Sequence, residues 1–129
     1  MTQQEMKART RRFAVRIIKL VTSLPDTRAS VVVGKQLLRS GTSVGANYRS
    51  ACRAKSTADF VFKLSIVEEE ADESIYWMEL LVESAVVQEA LLESLIDEAN
   101  QLVAIIVSSV KTLKLRRNPK SQIPVPKSK

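Results

Sequence analysis

The sequence of 129 residues contains no histidine, which removes the commonest general base and most types of metal site. The Glu-x-x-His ligand pairs of di-iron helical bundles are excluded for the same reason. Cys52 is the single cysteine, so a disulfide framework and the usual zinc sites are excluded as well. We therefore expect no metal and no other cofactor, and we expect a protein of the reducing cytoplasm.

Glycine, proline and long apolar runs are also scarce. The chain has three Gly and four Pro, and its longest apolar run, Leu102 to Val107, is far shorter than the ~20 residues of a membrane span. The polar N-terminus does not resemble a signal peptide. Long segments rich in Ala, Leu, Glu, Lys and Val favour an all-α fold, and the length fits one domain with its own core.

Charge is segregated along the chain. Residues 1–63 carry thirteen Lys and Arg against three Asp and Glu, residues 64–110 carry eleven acidic residues and no cation, and residues 111–129 carry seven cations and no acid. Most ion pairs must therefore join segments that are distant in sequence, or different subunits, rather than neighbours within one helix.

The spacing of apolar residues predicts an all-α domain of four helices over residues 1–115, at about 4–23, 27–54, 57–85 and 89–115. Pro25 ends the first helix, and Asp26 or Thr27 can cap the second. Ser56 begins a capping-box pattern that opens the third. Residues 116–129 contain three Pro and a cluster of cations, and we expect a disordered basic tail.

The second helix places its glycines on one line. Gly34, Gly41, Gly45 and Cys52 fall within roughly 20° of one line along the helix. Because Gly costs ~1 kcal/mol against Ala inside a helix, this line predicts the close approach of another backbone or of a large ring. Cys52 is interpreted as a small core residue, with a reactive thiol as the alternative.

Two cationic rows are candidate contacts to nucleic acid. They consist of Arg9, Arg12, Arg16 and Lys19 on the first helix, and Lys35, Arg39, Arg49 and Arg53 on the second. Such rows are typical of a phosphate-binding surface. Aromatic residues are few, which argues against base stacking and favours contacts to the RNA or DNA backbone. The alternative is that the rows neutralise the acidic third and fourth helices of the same or a neighbouring subunit.

The third helix is apolar on two sides. Beside its core face it carries a second apolar face made of Phe62, Ile66, Tyr76, Trp77 and Leu80. Because a four-helix bundle covers only one of the two sides fully, the second face predicts self-association. The alternative is that Trp77 packs under the first helix.

Paired carboxylates on the third helix are a candidate for metal-dependent chemistry. Glu70 and Glu73 could hold Mg²⁺, as in all-α nucleotide hydrolases. We favour instead a structural ion pair of these two residues with Arg49 or Lys63.

At its second and third helices the sequence resembles the four-helix-bundle proteins first recognised as products of intervening sequences in bacterial 23S ribosomal RNA genes. The residues that carry the resemblance are Gln36 to Arg49 (QLLRSGTSVGANYR), Asp59-Phe60, Lys63 to Ile66, Glu70-Ala71, Glu73 and Tyr76-Trp77. The chain departs from the family pattern at Glu69, where Lys is frequent, and at Ser50, where an acidic residue is common.

The resemblance implies an antiparallel up-down four-helix bundle that forms a homo-oligomer, commonly a ring of five, without an established enzymatic activity. A related branch, the accessory variability proteins of diversity-generating retroelements, forms cationic pentameric barrels that bind nucleic acid and a reverse transcriptase. From residues and resemblance together we expect a non-enzymatic, homo-oligomeric bundle that binds RNA or DNA backbone as an accessory factor. The alternatives are a protein-interaction scaffold and, less favoured, a Mg-dependent nucleotide hydrolase.

Overall fold

The computed structural model describes residues 1–117, which form four α-helices joined by short connections. The helices are α1 (Gln3–Ser23), α2 (Arg28–Ala51), α3 (Thr57–Glu83) and α4 (Glu89–Arg117). Each helix packs along the next one in the chain, and α4 also contacts α1, so the predicted all-α up-down four-helix bundle is confirmed. Arg116 and Arg117 belong to α4, and the rest of the predicted tail lies outside the described residues.

Local hydrogen bonds show why three of the helices begin where they do. Thr2 and Glu5 form a capping box at the start of α1, where each side chain bonds the backbone N–H of the other at 2.7 and 3.0 Å. The hydroxyl of Thr27 accepts from the N–H of Ser30 at 3.2 Å to cap α2. The hydroxyl of Ser56 accepts from the N–H of Asp59 at 3.1 Å to cap α3, as its position in the sequence predicted.

The turn between α3 and α4 begins earlier than predicted, because α3 ends at Glu83 rather than at Ala85. Ala85 adopts a left-handed conformation with φ of 62°. The N–H of Val86 donates a hydrogen bond to the carbonyl of Leu81 at 3.0 Å. The same kind of hydrogen bond ends helices that are capped by glycine. A non-glycine residue therefore occupies a position that favours glycine.

The core runs through the middle of the bundle and takes side chains from all four helices. Its largest fully buried members include Phe13 of α1, Leu37 of α2, Met78 of α3 and Leu102 of α4. Within residues 1–117, no helix combines the length and the apolar content needed to cross a membrane.

Helix α1 lies against the glycine line of α2. A Cβ atom built on Gly41 would fall 2.7 Å from a methyl carbon of Ile17, closer than real contacts allow, and one on Gly45 would lie 3.2 Å from the Thr10 hydroxyl oxygen. Gly34 faces Leu24 and Val21 at 3.1 and 3.4 Å. The close neighbour of the glycine line is thus α1 with Leu24 after it, through aliphatic and threonine side chains. At Gly45 the α1 backbone also comes close, with the carbonyl carbon of Thr10 at 3.4 Å from the added Cβ, whereas no large ring approaches the three glycines within the described residues.

Candidate nucleic-acid interface

Cations from all four helices gather at one end of the bundle. The antiparallel arrangement places the starts of α1 and α3 beside the ends of α2 and α4, and one cleft there is lined by Gln3, Tyr48, Phe60 and Arg116. The cations toward this end are Lys7, Arg11, Arg49, Arg53, Lys55, Lys63, Lys111, Lys114 and Arg116. The opposite end carries acidic residues, including Glu79, Glu83, Glu89 and Glu93, together with the cations Lys19, Arg28 and Lys35. A large excess of positive charge is therefore found at the first end.

A shallow groove runs between α1 and α2 on the outside of this basic end. It encloses about 220 Å³, and Lys7, Arg11 and Arg49 supply its charged side chains. The remaining lining is small, with Gly45 and Ala46 among its residues, because α1 and α2 approach closely there. A floor without bulky side chains lets an extended polyanion come near the cations.

A second shallow groove adjoins the first on the other side of Ala46. It encloses about 370 Å³ and is lined by Ala46, Arg49, Ser50, Arg53 and Lys63, so it joins α2 to the start of α3. Ala46 and Arg49 line both grooves, which makes the two a continuous surface. Arg49 also lies in the last turn of α2, where the helix dipole favours a positive charge.

We call Lys7, Arg11, Arg49, Arg53 and Lys63 the groove cations. Among residues 1–117, no Asp or Glu lines either groove. Among residues 1–117, Lys63 has a salt bridge, to Asp59 at 3.5 Å, while the other four have no carboxylate within salt-bridge distance. Their charge is therefore available to an anion from outside the bundle.

Arg9, predicted as a nucleic-acid contact, is instead paired inside the bundle. Its guanidinium donates to both carboxylate oxygens of Glu98 on α4 at 2.7 and 2.8 Å, and also to Gln101 at 2.8 Å. The hydrogen bond from Arg9, more than the nearby positive charges, lowers the pKa of Glu98. Because a phosphate would have to compete with this carboxylate, Arg9 is removed from the candidate interface.

Arg39 likewise bonds carboxylates of the same chain, and it is the partner of the paired carboxylates Glu70 and Glu73. It forms salt bridges with Glu70, at 3.2 Å, and with Glu73, whereas the sequence suggested Arg49 or Lys63 for this role. Glu73 also accepts a hydrogen bond from the indole N–H of Trp77 at 2.9 Å, and this bond is the main cause of its lowered pKa. Residues that carry the family resemblance thus meet in one network on the surface of α2 and α3.

The other predicted contacts fall outside the grooves. Arg16 donates to the hydroxyl of Ser94 on α4 at 2.9 Å and faces the same side as Arg9. Arg12, Lys19 and Lys35 are exposed and have no salt bridge within the described residues. Of the eight predicted contacts, the grooves bring together Arg49 and Arg53.

The second apolar face of α3 is uncovered in the single chain. Phe62 is 63% exposed and Tyr76 is 53% exposed, while Ile66, Trp77 and Leu80 are half-buried. The rings of Tyr76 and Trp77 meet edge to face with centroids 5.0 Å apart. Helices α1 and α3 are not in contact, so the alternative that Trp77 packs under the first helix is wrong.

Two further candidate sites are the paired carboxylates Glu70 and Glu73 and the thiol of Cys52. Within residues 1–117, no group of three or more acidic or Cys side chains is placed to hold a metal ion, although Glu70 and Glu73 do lie together. Cys52 is half-buried just after α2, beside the Tyr48 hydroxyl. Burial, and secondarily this thiol, raise the pKa of Tyr48.

Lys7, Arg11 and Lys63 were missed by the sequence reasoning because they lie off the two cationic rows. A signal for them was present, since an up-down bundle brings the start of α1, the end of α2 and the start of α3 to one end. The i, i+4 pairs Lys7/Arg11 and Arg49/Arg53 both fall in those segments.

The match to known proteins agrees with this architecture. Residues 2–108 match the model of the family described as 23S rRNA-intervening sequence protein. The chain is also similar to the crystal structure of a protein with unknown function from the S23 ribosomal protein family of Bacteroides thetaiotaomicron VPI-5482. Identity is 39%, over 86% of this chain and 99% of that one, with a TM-score of 0.80. No curated protein matches the chain. Since the matched segment spans most of its length, the chain belongs to the 23S rRNA-intervening sequence protein family.

Proposed function

We propose that this chain is a non-enzymatic, self-associating bundle that binds the phosphate backbone of RNA or DNA as an accessory factor. The observation that carries the proposal is the set of groove cations, four of which have no carboxylate partner among residues 1–117. Lys and Arg side chains on an open surface without competing carboxylates are the groups that neutralise phosphates in nucleic-acid complexes.

Backbone contacts without base contacts predict binding that depends weakly on sequence and strongly on salt. The test is fluorescence anisotropy with labelled RNA and DNA of unrelated sequences, titrated with the full chain from about 50 to 200 mM salt. We expect similar affinities across sequences and a linear fall of log K with log salt, at about −0.9 per phosphate contact on B-form DNA. Absence of binding to every probe at about 50 mM salt would refute the proposal.

Self-association is the second part of the proposal. It is supported by the second apolar face of α3. Phe62 and Tyr76 are each more than half exposed there, and Ile66, Trp77 and Leu80 belong to the same face. Large apolar side chains grouped on a surface typically mark a protein contact. A second copy of the chain is the proposed partner, and five copies is the number that the family resemblance favours.

A scaffold without nucleic-acid function is the alternative, and one observation favours it. Helix α3 carries a row of carboxylates, Glu68, Asp72, Glu79 and Glu83, that have no salt bridge within the described residues. If these groups of one copy paired with the groove cations of another, raising the salt concentration would dissociate the oligomer. The nucleic-acid proposal predicts an oligomer held by its apolar face, whose mass is unchanged at ~500 mM salt.

A further inference from the structure

We propose that the groove cations are arranged for a double-stranded nucleic acid rather than for a single strand. This inference rests on the proposed function and names the class of nucleic acid that the surface takes. It is drawn from the placement of the cations on three helices, from the lining of the two grooves and from the hydroxyl of Ser50.

The groove cations form a two-dimensional array. Lys7 and Arg11 stand on α1, Arg49 and Arg53 at the end of α2, and Lys63 on α3. Packed helices lie about 8–10 Å apart, so the axes of α1 and α3, which lie on either side of α2 at diagonal corners of the bundle, are about 11–14 Å apart. Lys7 and Arg11 are four residues apart on α1, as are Arg49 and Arg53 on α2, so the two cations on each of these helices are separated by about 6 Å along the helix axis.

A duplex suits such an array better than a single strand does. Two phosphate backbones face a protein across a groove that is about 6 Å wide on the minor side and about 12 Å on the major side of B-DNA. A protein surface with cations on neighbouring helices can neutralise both strands at once. A single strand offers one line of phosphates and could follow one row of the array, leaving the others without a partner.

The lining of the grooves offers no platform for unpaired bases. Within the described part of the chain, none of the residues that line the two grooves is aromatic. The nearest exposed ring in the sequence, Phe62, projects about 100° away from its neighbour Lys63 around the axis of α3. Proteins that bind single strands gain about 1–3 kcal/mol per base by stacking on such rings. In a duplex the bases already stack on each other, so a surface of cations alone is sufficient.

Ser50 adds a neutral donor to the same surface. Its side chain is exposed in the second groove between Arg49 and Arg53. Hydroxyl groups of Ser and Thr are frequent donors to phosphate oxygens and help to fix a protein on a duplex. A carboxylate at this position would repel a phosphate.

The inference is tested by competition. A fluorescein-labelled 20-base-pair duplex is bound to the full chain at about 50 mM salt and displaced by unlabelled duplex, by oligo(dT) or by oligo(U) of the same length, none of which forms hairpins. A duplex that engages the four unpaired groove cations should give a salt slope of about −3.6 (4 × 0.9), and a single strand that follows one row of two cations about −1.4 (2 × 0.7), so we expect the duplex to compete more than tenfold better at this salt. We expect this difference for both RNA and DNA duplexes.

Equal or stronger displacement by oligo(dT) or oligo(U) would overturn the inference while leaving the proposed function standing. Loss of binding to every probe would instead refute the proposed function. The Ser50→Glu variant supplies an independent readout. It should weaken duplex binding about tenfold or more without a change in helix content, whereas an unchanged affinity would show that the second groove does not contact the duplex.

Discussion

Arg9 on α1 donates hydrogen bonds to both carboxylate oxygens of Glu98 on α4, at 2.7 and 2.8 Å, with each side chain 19% exposed. The pair joins the first helix to the last, which meet over a much smaller area than the helices consecutive in the chain. It therefore closes the bundle on the side where apolar packing is thinnest. The same pairing removes Arg9 from the surface available to an external anion.

Replacing Glu98 by Gln should destabilise the bundle by about 1–2 kcal/mol at neutral pH, because a charged hydrogen-bonded partner of Arg9 is lost. Arg9 lowers the pKa of Glu98, so the stabilisation is complete above about pH 4.3, the ordinary value for Glu, and is lost as pH falls through the lowered value. Thermal unfolding of the two proteins as a function of pH checks this.

The control for that experiment is Glu93→Gln, an exposed residue of α4 without a salt bridge in the described chain. Its effect should stay within about 0.5 kcal/mol at every pH. A difference between Glu98→Gln and the parent chain that persists unchanged at pH 2 would show that the carboxylate is not the stabilising group.

Replacing Gly41 by Ala should destabilise by about 1–3 kcal/mol, because the new methyl group would lie 2.7 Å from a side-chain carbon of Ile17. This cost exceeds the gain of up to ~1 kcal/mol in helix propensity. In an Ile17→Ala background the methyl group has room, so the same substitution should become neutral or stabilising. A double-mutant cycle by urea unfolding measures the coupling, and additive effects would exclude this contact as the cause.

Replacing Ala85 by Gly should stabilise by about 0.5–1 kcal/mol, because Ala85 has a φ of 62° that a side chain disfavours and glycine adopts freely. Chemical unfolding with an unchanged slope gives the difference. An unchanged or lower midpoint would mean that the connection between α3 and α4 relaxes to another backbone conformation in solution.

Replacing both Phe62 and Tyr76 by Ala should dissociate the proposed oligomer without unfolding the chain, since both side chains are exposed in the single subunit. Truncation of aromatic anchors in an interface typically costs 2 kcal/mol or more each. Light scattering reports the mass and circular dichroism reports the helix content. The matched control is Leu91→Ala, 72% exposed on α4 and away from this face, which should leave the mass unchanged. A parent chain that is monomeric at micromolar concentration would contradict self-association.

The helices themselves could be predicted because their signals are local. Pro25 and the cap Ser56 separate segments whose apolar residues repeat with helical spacing, and the up-down order follows from the short connections. The capping box at Thr2 and Glu5 was present in the sequence and extends α1 by one residue beyond the predicted start. The left-handed turn at Ala85 has no sequence signal, because glycine usually marks that position.

The candidate site was predicted less well, because the positions of charged residues in the sequence do not tell which helix packs against each side of α1 or α2. Arg9 and Arg11 are two positions apart, which turns them about 200° around α1, and one meets Glu98 while the other borders the groove with α2. Arg39 and Arg49 belong to one row in the sequence, yet Glu70 and Glu73 reach the first of them. Whether Arg39 or Arg49 meets these carboxylates depends on the order of the helices around the bundle, and the sequence does not give that order.

The salt dependence of duplex binding tests the central proposal most directly when two double variants of equal charge are compared. In the full chain, Arg49→Gln with Arg53→Gln removes two groove cations, whereas Arg9→Gln with Arg39→Gln removes two arginines that already bond carboxylates. A third variant, with Lys120, Lys127 and Lys129 replaced by Gln, measures what the residues beyond the described helices add. Circular dichroism verifies that each variant stays folded.

We predict that the Arg49/Arg53 variant lowers the slope of log K against log salt by about 1.8 per subunit engaged, two contacts at about 0.9 each on B-form DNA. The Arg9/Arg39 variant should keep a slope close to that of the parent chain. Equal loss of slope in both double variants, or loss confined to the Arg9/Arg39 variant or to the Lys120/Lys127/Lys129 variant, would contradict the assignment of the groove cations as the nucleic-acid interface.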